Sequence, residues 1–228
     1  MSPTIFILLA VLAAGLVAFS LLYLLYRLYV NFQPGKNRIL NDFRQLRDEV
    51  AQWSNQLIPW TEEEMSLLSP RQVNQKIKRG ITKTAQGIFT SIYQEPLIVY
   101  NYRKYIARGE NAILYARTSK NEFAYRIKKK GIDINIDGEY AGVLRENGGL
   151  YGGRRNRLIA RINRDDELQL HPIVIGEKEV ASVLNPTKTT KHNPRAFQFL
   201  RPINKKEEPI FMALAILEMV QESLEEEF

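Results

Sequence analysis

The chain begins with a long apolar run, and later stretches alternate polar and apolar residues with a shorter period. From Thr4 to Tyr26 the 23 residues are uncharged and almost entirely apolar, and the first charged residue is Arg27. At about 1.5 Å per residue, a helix of this length exceeds the hydrocarbon core of a bilayer, which is about 30 Å thick. The pattern predicts a transmembrane helix over residues 4–29, after a short N-terminal tail of residues 1–3.

The flanks of this segment distinguish an anchor from a cleaved signal peptide and predict its orientation. A signal peptide has a basic start and an apolar stretch of about 7–15 residues, whereas here no Lys or Arg precedes the run. Cations beside a span are retained on the cytoplasmic side. Because Arg27, Lys36 and Arg38 follow the run, we expect a single-pass anchor with the N-terminus outside and the C-terminal domain in the cytoplasm. A cleaved signal peptide is the alternative.

Residues 36–70 are predicted to form a helical connector. Apolar residues fall at alternating spacings of three and four, at Phe43, Leu46, Val50, Trp53 and Leu57. Such a seam is typical of a coiled coil, so the 36–57 helix predicts either a homodimer or other protein partner, or packing on the chain's own domain. Thr61 and Glu64 match a capping box, which predicts a short helix that ends before Ser69-Pro70.

From about Gly87 the apolar residues recur with period two, which is typical of β-strands. The candidate strands are Ile88–Tyr93, Leu97–Tyr102, Ala112–Arg117, Glu122–Ile127, Ile132–Ile136, Tyr140–Leu144, Leu158–Ile162, Glu167–Leu170, Ile173–Ile175, Val180–Leu184 and Ala196–Leu200. Asp137-Gly138 predicts a hairpin turn, and the glycines of 147–153 predict an open loop. Residues 71–90 are ambiguous between strand and helix. Many short strands at this spacing predict that residues 71–228 form an antiparallel barrel or sandwich.

The last predicted element, a helix over residues 209–224, is apolar on every face of its first half. Pro209 suits the first turn of a helix, and residues 210–217 are all apolar. Such a helix must be buried all round, yet it is too short to cross a bilayer. We therefore expect a closed sheet wrapped around it. The alternative, contact with the membrane or a partner, is disfavoured by Glu218 and the acidic tail.

Two hairpin segments repeat each other, INIDGEYAGVL at 134–144 and IVIGEKEVASVL at 173–184. With the final helix PIFMALAILEMV, they make residues of about 87–223 resemble the tubby, LURP-one and phospholipid-scramblase superfamily. The resemblance implies an antiparallel β-barrel around a C-terminal helix and a non-enzymatic domain that works at membranes. Tubby proteins of this superfamily bind phosphoinositides through basic side chains on the barrel.

The chain departs from that superfamily in two ways. Its anchor is N-terminal, whereas scramblases carry their apolar segment as the C-terminal helix. The acidic triplet at 165–167 lacks the alternating oxygens and turn glycine of an EF-hand-type calcium loop. We therefore carry over neither scrambling nor calcium binding.

Charge identifies candidate binding residues. The net charge is +7, and residues 71–209 hold 27 Lys and Arg against 14 Asp and Glu. The candidates for binding an anion are Arg154, Arg155 and Arg157 in a glycine-rich loop, and Lys128 and Lys130 before Gly131. Glycine N–H groups and arginines suit phosphate oxygens. The plainer alternatives are a solvated loop for the arginines and protection of a strand edge for the lysines.

Catalysis has little support in the sequence. There is no cysteine, the two histidines, His171 and His192, lack metal-ligand spacing, and no nucleotide-binding or nucleophile motif is present. Tyr100, Tyr102 and Tyr105 lie near basic residues, a pattern that suits the stacking of nucleic-acid bases, but a barrel wall explains them more simply. We expect no enzyme activity, no cofactor, no metal and no nucleic-acid partner.

The sequence therefore predicts a membrane-anchored, non-catalytic binding module. Its basic β-barrel would engage anionic lipid headgroups, or an acidic partner, at the cytoplasmic leaflet. The alternative is a scaffold or assembly subunit of a membrane complex that uses the 36–57 helix for protein contacts. An enzyme would need a deep pocket, for which a barrel filled by its own helix leaves little room.

Overall fold

The computed structural model describes residues 3–32, 34–59, 61–80, 82–106, 110–153, 156–165, 167–185 and 194–225. Its helices are α1 (Pro3–Phe32), α2 (Lys36–Ala51), α3 (Glu62–Ser66) and α4 (Glu208–Glu225), with a 3-10 turn at Ser54–Gln56. Its strands are β1 (Leu68–Lys78), β2 (Lys83–Ser91), β3 (Pro96–Lys104), β4 (Asn111–Arg117), β5 (Glu122–Lys128), β6 (Gly131–Ile136), β7 (Glu139–Leu144), β8 (Gly149–Gly152), β9 (Arg157–Ile162), β10 (Leu170–Ile175), β11 (Lys178–Leu184) and β12 (Phe197–Phe199).

The twelve strands form one sheet that curls into a nearly closed barrel. Each strand pairs antiparallel with the next along the chain. Side chains of a strand point alternately to its two faces, and in β5 Phe123, Tyr125 and Ile127 are the buried ones. The two ends of the sheet meet where the backbone N–H of Ala196 donates to the carbonyl oxygen of Leu68 at 2.7 Å.

The interior of the barrel is filled by α4. Residues 211–220 are all buried, and all of them except Glu218 share one hydrophobic core with the inward side chains of the strands. Tyr125 donates its hydroxyl proton to the carbonyl oxygen of Ala213 at 2.9 Å, and the rings of Phe211 and Phe197 meet edge to face with centroids 5.0 Å apart. The prediction of an antiparallel barrel around an apolar C-terminal helix is confirmed.

A second, smaller core lies between α2 and the outer face of the sheet. The seam residues lie in it: Phe43, Leu46, Val50, Trp53 and Leu57. The apolar seam therefore packs on the chain's own domain, which is one of the two arrangements that the sequence left open. The helix itself ends at Ala51 rather than near residue 57, and the 3-10 turn continues the chain along the sheet.

The repeated segments form the hairpins β6–β7 and β10–β11, so the sequence repeat is a repeat of structure. Both hairpins turn through two residues and both carry a one-residue bulge. The extra residues are Ala141 and Val180, which occupy the same position in the two repeats.

Parts of the strand prediction were wrong or incomplete. The expected open loop over 147–153 contains β8. The strands expected at Glu167–Leu170 and Ile173–Ile175 are replaced by the single strand β10, and residues 167–169 lie outside it. Pro172 does not end this strand, because its carbonyl oxygen still accepts a hydrogen bond from Asn163 at 2.9 Å. β1 begins at Leu68, so Ser69-Pro70 lies in a strand and does not end a helix.

α1 stands apart from these cores. Its segment Pro3–Val30, of 28 residues, is long and apolar enough to cross a membrane, and no part of it is buried against the rest of the described chain. The apolar side chains of α1 are consequently exposed on all sides.

Candidate functional site

The strand directions divide the connections of the barrel between two ends. Because the strands alternate up and down, connections after odd-numbered strands lie at one end, and those after even-numbered strands lie at the other. α2 starts at the first end, beside Arg103 near the end of β3 and Tyr105 just after it. The chain after α2 reaches the second end, where the Ile58 N–H donates to the carbonyl of Pro96 at 3.0 Å. We call the first end proximal, because α1 joins the domain there, and the second end distal.

A buried carboxylate fixes α2 at the proximal end. Asp42 is 8% exposed, and it accepts hydrogen bonds from Arg103 Nη1 at 2.7 Å and from the Tyr105 hydroxyl at 2.6 Å. Burial, together with the hydrogen bond to Asp42 and its charge, raises the pKa of Tyr105, so the hydroxyl remains a donor. Removing one partner from such a pair is costly. The start of α2 is therefore held firmly, and the end of α1 is confined near the proximal end.

Cations gather at this end, in the connections after β1, β3 and β5 and in the strand residues beside them. We call this group the basic rim, and its members are Lys78, Arg79, Lys83, Lys104, Lys128, Lys129 and Lys130. Among the residues that the structure describes in these three connections, the acidic one is Glu110. Lys128 pairs with Asp133 of β6, while Lys129 and Lys130 are exposed in the β5–β6 turn. The rim therefore presents positive charge on the side where α1 attaches.

A cavity of about 320 Å³ opens at the proximal end, beside the last turns of α4. The polar groups that line it belong to Glu110, Lys128, Lys129, Arg145, Glu146, Arg164 and Gln221. The guanidinium carbon of Arg145 lies 4.3 Å from the centre of the Tyr151 ring. With four cations against two carboxylates, the cavity continues the positive charge of the rim inward.

Below the cavity, one carboxylate of α4 holds a buried polar network. Glu218 is 3% exposed; its Oε1 lies 2.7 Å from His171 Nδ1, and its Oε2 accepts from Arg164 Nε at 2.8 Å. Burial alone would raise the pKa of Glu218, but its hydrogen bonds and the charge of Arg164 outweigh burial and lower it. The hydrogen bond to Glu218 raises the pKa of His171. The network ties the end of α4 to β10 and to the β9–β10 connection.

The structure does not bring the sequence-predicted binding residues together. Lys128 and Lys130 lie in the basic rim, but Arg157 begins β9 at the distal end, so the two groups face opposite ends of the barrel. Arg154 and Arg155 lie outside the described residues. One site made of all five residues is therefore not formed by the residues that the structure describes.

Sequence reasoning missed several members of the proximal site, including Arg79, Lys104, Arg145 and Arg164. A usable pattern was present, because alternate connections of an up-and-down sheet share an end. With β8 counted, this rule places Arg157 and the lysines at opposite ends. The predicted strands omit β8, and without it the same rule places Arg157 and the lysines at one end, because an undetected strand moves every later loop to the wrong end.

The three tyrosines after Pro96 belong to the wall of the barrel and its junction with α2. Tyr100, Tyr102 and Tyr105 are 0%, 7% and 3% exposed, and the Tyr100 hydroxyl donates to Gln72 Oε1 at 2.6 Å. The interpretation as a barrel wall is confirmed. His192 lies outside the described residues.

Comparison of the chain with models of protein families, with curated proteins and with solved structures finds no match.

Proposed function

We propose that this protein is a membrane-anchored, non-catalytic binding module. In this proposal α1 spans the membrane with its N-terminus outside, and the barrel lies in the cytoplasm. The basic rim then binds the anionic lipid headgroups of the inner leaflet. The observation that carries the proposal is that the rim and the attachment point of α1 lie at the same end of the barrel.

The membrane anchor is supported by exposed apolar surface. An apolar helix of 28 residues that packs on no other described part of the chain needs an apolar solvent, and a lipid core accepts a helix because its backbone groups are bonded internally. The orientation is supported by Arg27, Lys36 and Arg38, which all follow the apolar segment.

The link from α1 to α2 is short. Three residues separate Phe32 from Lys36, and this link spans at most about 14 Å when extended. Exposed charges act over about 10 Å at 0.1 M salt. A lysine near an anionic membrane surface gains about 1 kcal/mol, so the exposed lysines of the rim together supply enough free energy to hold the barrel on the headgroups.

The finer assignments rest on the same features. We propose the tubby, LURP-one and phospholipid-scramblase superfamily as the family, supported by the resemblance of residues 87–223 and by the barrel that encloses α4. An acidic protein at the rim is the alternative ligand. A scaffold that uses the 36–57 helix has less support, because the seam of that helix packs on the chain's own barrel.

The full chain in lipid nanodiscs tests the proposal. The chain has no cysteine, so Gly80→Cys gives one labelling position beside the rim, where an added Cβ makes an ordinary contact of 3.7 Å with the Thr82 carbonyl. Energy transfer from a fluorophore at this cysteine to acceptors on lipid headgroups reports how often the rim contacts the bilayer. We expect more transfer with phosphatidylserine than with phosphatidylcholine alone, and less transfer as salt is added.

A matched pair of variants isolates the charge of the rim. Lys129→Gln/Lys130→Gln removes two exposed cations from the proximal end, and Lys205→Gln/Lys206→Gln removes two from the distal end. At about 1 kcal/mol per lysine, the rim variant should lower the docking equilibrium constant roughly 30-fold, and the distal variant should leave it unchanged. Equal docking on neutral and anionic bilayers would contradict the lipid proposal. Rim-dependent capture of a stoichiometric acidic protein without lipid-dependent docking would favour the protein ligand.

A further inference from the structure

Three residues that can coordinate a metal converge at the proximal end of the barrel interior. Glu218 and Glu222 lie four residues apart on α4 and so share one helix face, and His171 of β10 faces them from the wall. One potential ligand atom of each residue lies within 4.8 Å of those of the other two. His171 and Glu218 are buried, and Glu222 is half-buried.

His171 is held in a defined orientation with one nitrogen left over. Its side chain is 2% exposed and its Nδ1 lies 2.7 Å from Glu218, while its Nε2 is buried without a hydrogen-bond partner among the described residues. The nitrogen that faces the glutamates is Nδ1, so an ion held by all three residues would take the place of the proton between Nδ1 and Glu218. Nε2 lies on the other side of the ring, where a hydrogen-bond acceptor would fix the orientation of the imidazole, as neighbouring acceptors do for metal-binding histidines.

We propose that His171, Glu218 and Glu222 form a binding site for a divalent transition-metal ion of the Zn²⁺ type. An imidazole with two carboxylates suits such an ion, whose bonds of about 2.0–2.2 Å place its ligands about 3.3–3.6 Å apart in a tetrahedron. The observed spacing reaches this range with small side-chain movements. The ion goes beyond the lipid-binding proposal, because it would join the end of α4 to the barrel wall.

The charges around the cluster limit the ion that fits. The groups facing it are the two glutamates, the guanidinium of Arg164 on Glu218 Oε2 and the backbone of Asp165 on the adjoining connection. Each carboxylate oxygen keeps a second lone pair after accepting one hydrogen bond, so Arg164 leaves Glu218 able to bind an ion. The carboxylates outnumber the one guanidinium, and a divalent cation offsets the excess negative charge.

Cobalt is a suitable test ion, because Co²⁺ occupies zinc-type sites and absorbs visible light. Co²⁺ alone is titrated into the full chain, free of affinity tags and first treated with a chelator, in detergent. We expect a saturable visible band at one Co²⁺ per chain, which Zn²⁺ abolishes on addition. We also expect Zn²⁺ to raise the thermal unfolding midpoint.

Three variants decide between the cluster and adventitious binding. Glu222→Gln changes a half-buried group and is expected to fold, and it should weaken Co²⁺ binding by roughly 10- to 100-fold or more. His171→Gln should do the same, while Glu177→Gln, at an exposed carboxylate of the distal end, should bind as the parent chain does. A folded parent chain that binds no stoichiometric Co²⁺ overturns the proposal, and so does binding that survives both cluster variants. If the folded parent chain binds no Co²⁺, a proton on His171 offsets the negative charge of the glutamates instead.

Discussion

Replacing Phe211 with alanine removes the aromatic group that joins α4 to the closing strand of the barrel. Phe211 is 0% exposed, and its ring centre lies 5.0 Å from that of Phe197 and 5.5 Å from that of Phe199. A buried Phe→Ala change costs about 3–5 kcal/mol in transfer and cavity terms. Each aromatic pair contributes about 0.5–1.5 kcal/mol beyond buried area. We therefore expect Phe211→Ala to lower the free energy of unfolding by about 3–5 kcal/mol.

The loss is measured by thermal and denaturant unfolding of the full chain in detergent. For a domain of about 150–250 residues, 1 kcal/mol shifts the midpoint by about 2–4 °C, so a drop of roughly 6–20 °C is expected. Leu200→Ala is the control, because Leu200 is 57% exposed on the same side of the barrel, and its change should stay within about 0.5 kcal/mol. A Phe211→Ala loss as small as the control's would mean that the helix is not enclosed.

Three further predictions concern α2, a strained connection and the orientation of the chain. Asp42→Ala leaves Arg103 without its buried partner and should cost about 3 kcal/mol in chemical denaturation, while Asp48→Ala, at an exposed position of the same helix, should cost less than about 0.5 kcal/mol. Gly148→Ala should lower stability by about 1–3 kcal/mol, because Gly148 has φ +74° and an added Cβ would lie 2.0 Å from the Ile162 carbonyl oxygen. Gly80→Ala is the control, and because its surroundings are open it should be nearly neutral. Similar losses of stability for the two variants would contradict this reasoning. In intact cells, Gly80→Cys should react with a membrane-impermeant thiol reagent only after the membrane is opened, and labelling of sealed cells would reverse the proposed orientation.

The hydrophobic pattern predicted the elements whose burial is complete or strictly alternating. In a domain surrounded by water, a helix that is apolar on all faces is stable only when it is enclosed, and α4 is enclosed. Strands such as β5 alternate between a filled interior and a half-covered outer face, so their period of two is visible in the sequence. The Asp137-Gly138 turn was predicted correctly for a different reason, because its backbone conformation restricts which residues can occupy it.

The missed strands lack those patterns for physical reasons. β1 lies at the edge of the sheet and is mostly exposed after its first three residues, so its sequence carries no consistent apolar face. β8 has the composition of a loop because its backbone passes very close to β7. A Cβ on Gly152 would lie 2.4 Å from the carbonyl oxygen of Ala141. Glycine there permits close packing of strands, which composition alone cannot distinguish from an open loop.

The binding residues were predicted only in part, because their grouping depends on three-dimensional topology. The sequence identified lysines 128 and 130 as candidates, but it joined them to arginines that belong to another loop. Arg164 and Glu218 meet across the barrel, although 54 positions separate them. This ion pair depends on which strands face α4 in the folded barrel, and no local sequence pattern predicts it.

A comparison of the two ends of the barrel tests the central claim most directly. Single labels at Gly80→Cys, beside the basic rim, and at Ser119→Cys, in the exposed β4–β5 connection at the distal end, are compared by energy transfer to headgroup acceptors in anionic nanodiscs. β2 and β3 have nine residues each, and strands of this length, tilted as in barrels, separate the two ends by about 20 Å. We predict strong, salt-sensitive transfer from the Gly80→Cys label and weak transfer from the Ser119→Cys label. A Ser119→Cys label that lies closer to the headgroups, or transfer from both labels that ignores lipid charge, would contradict the account.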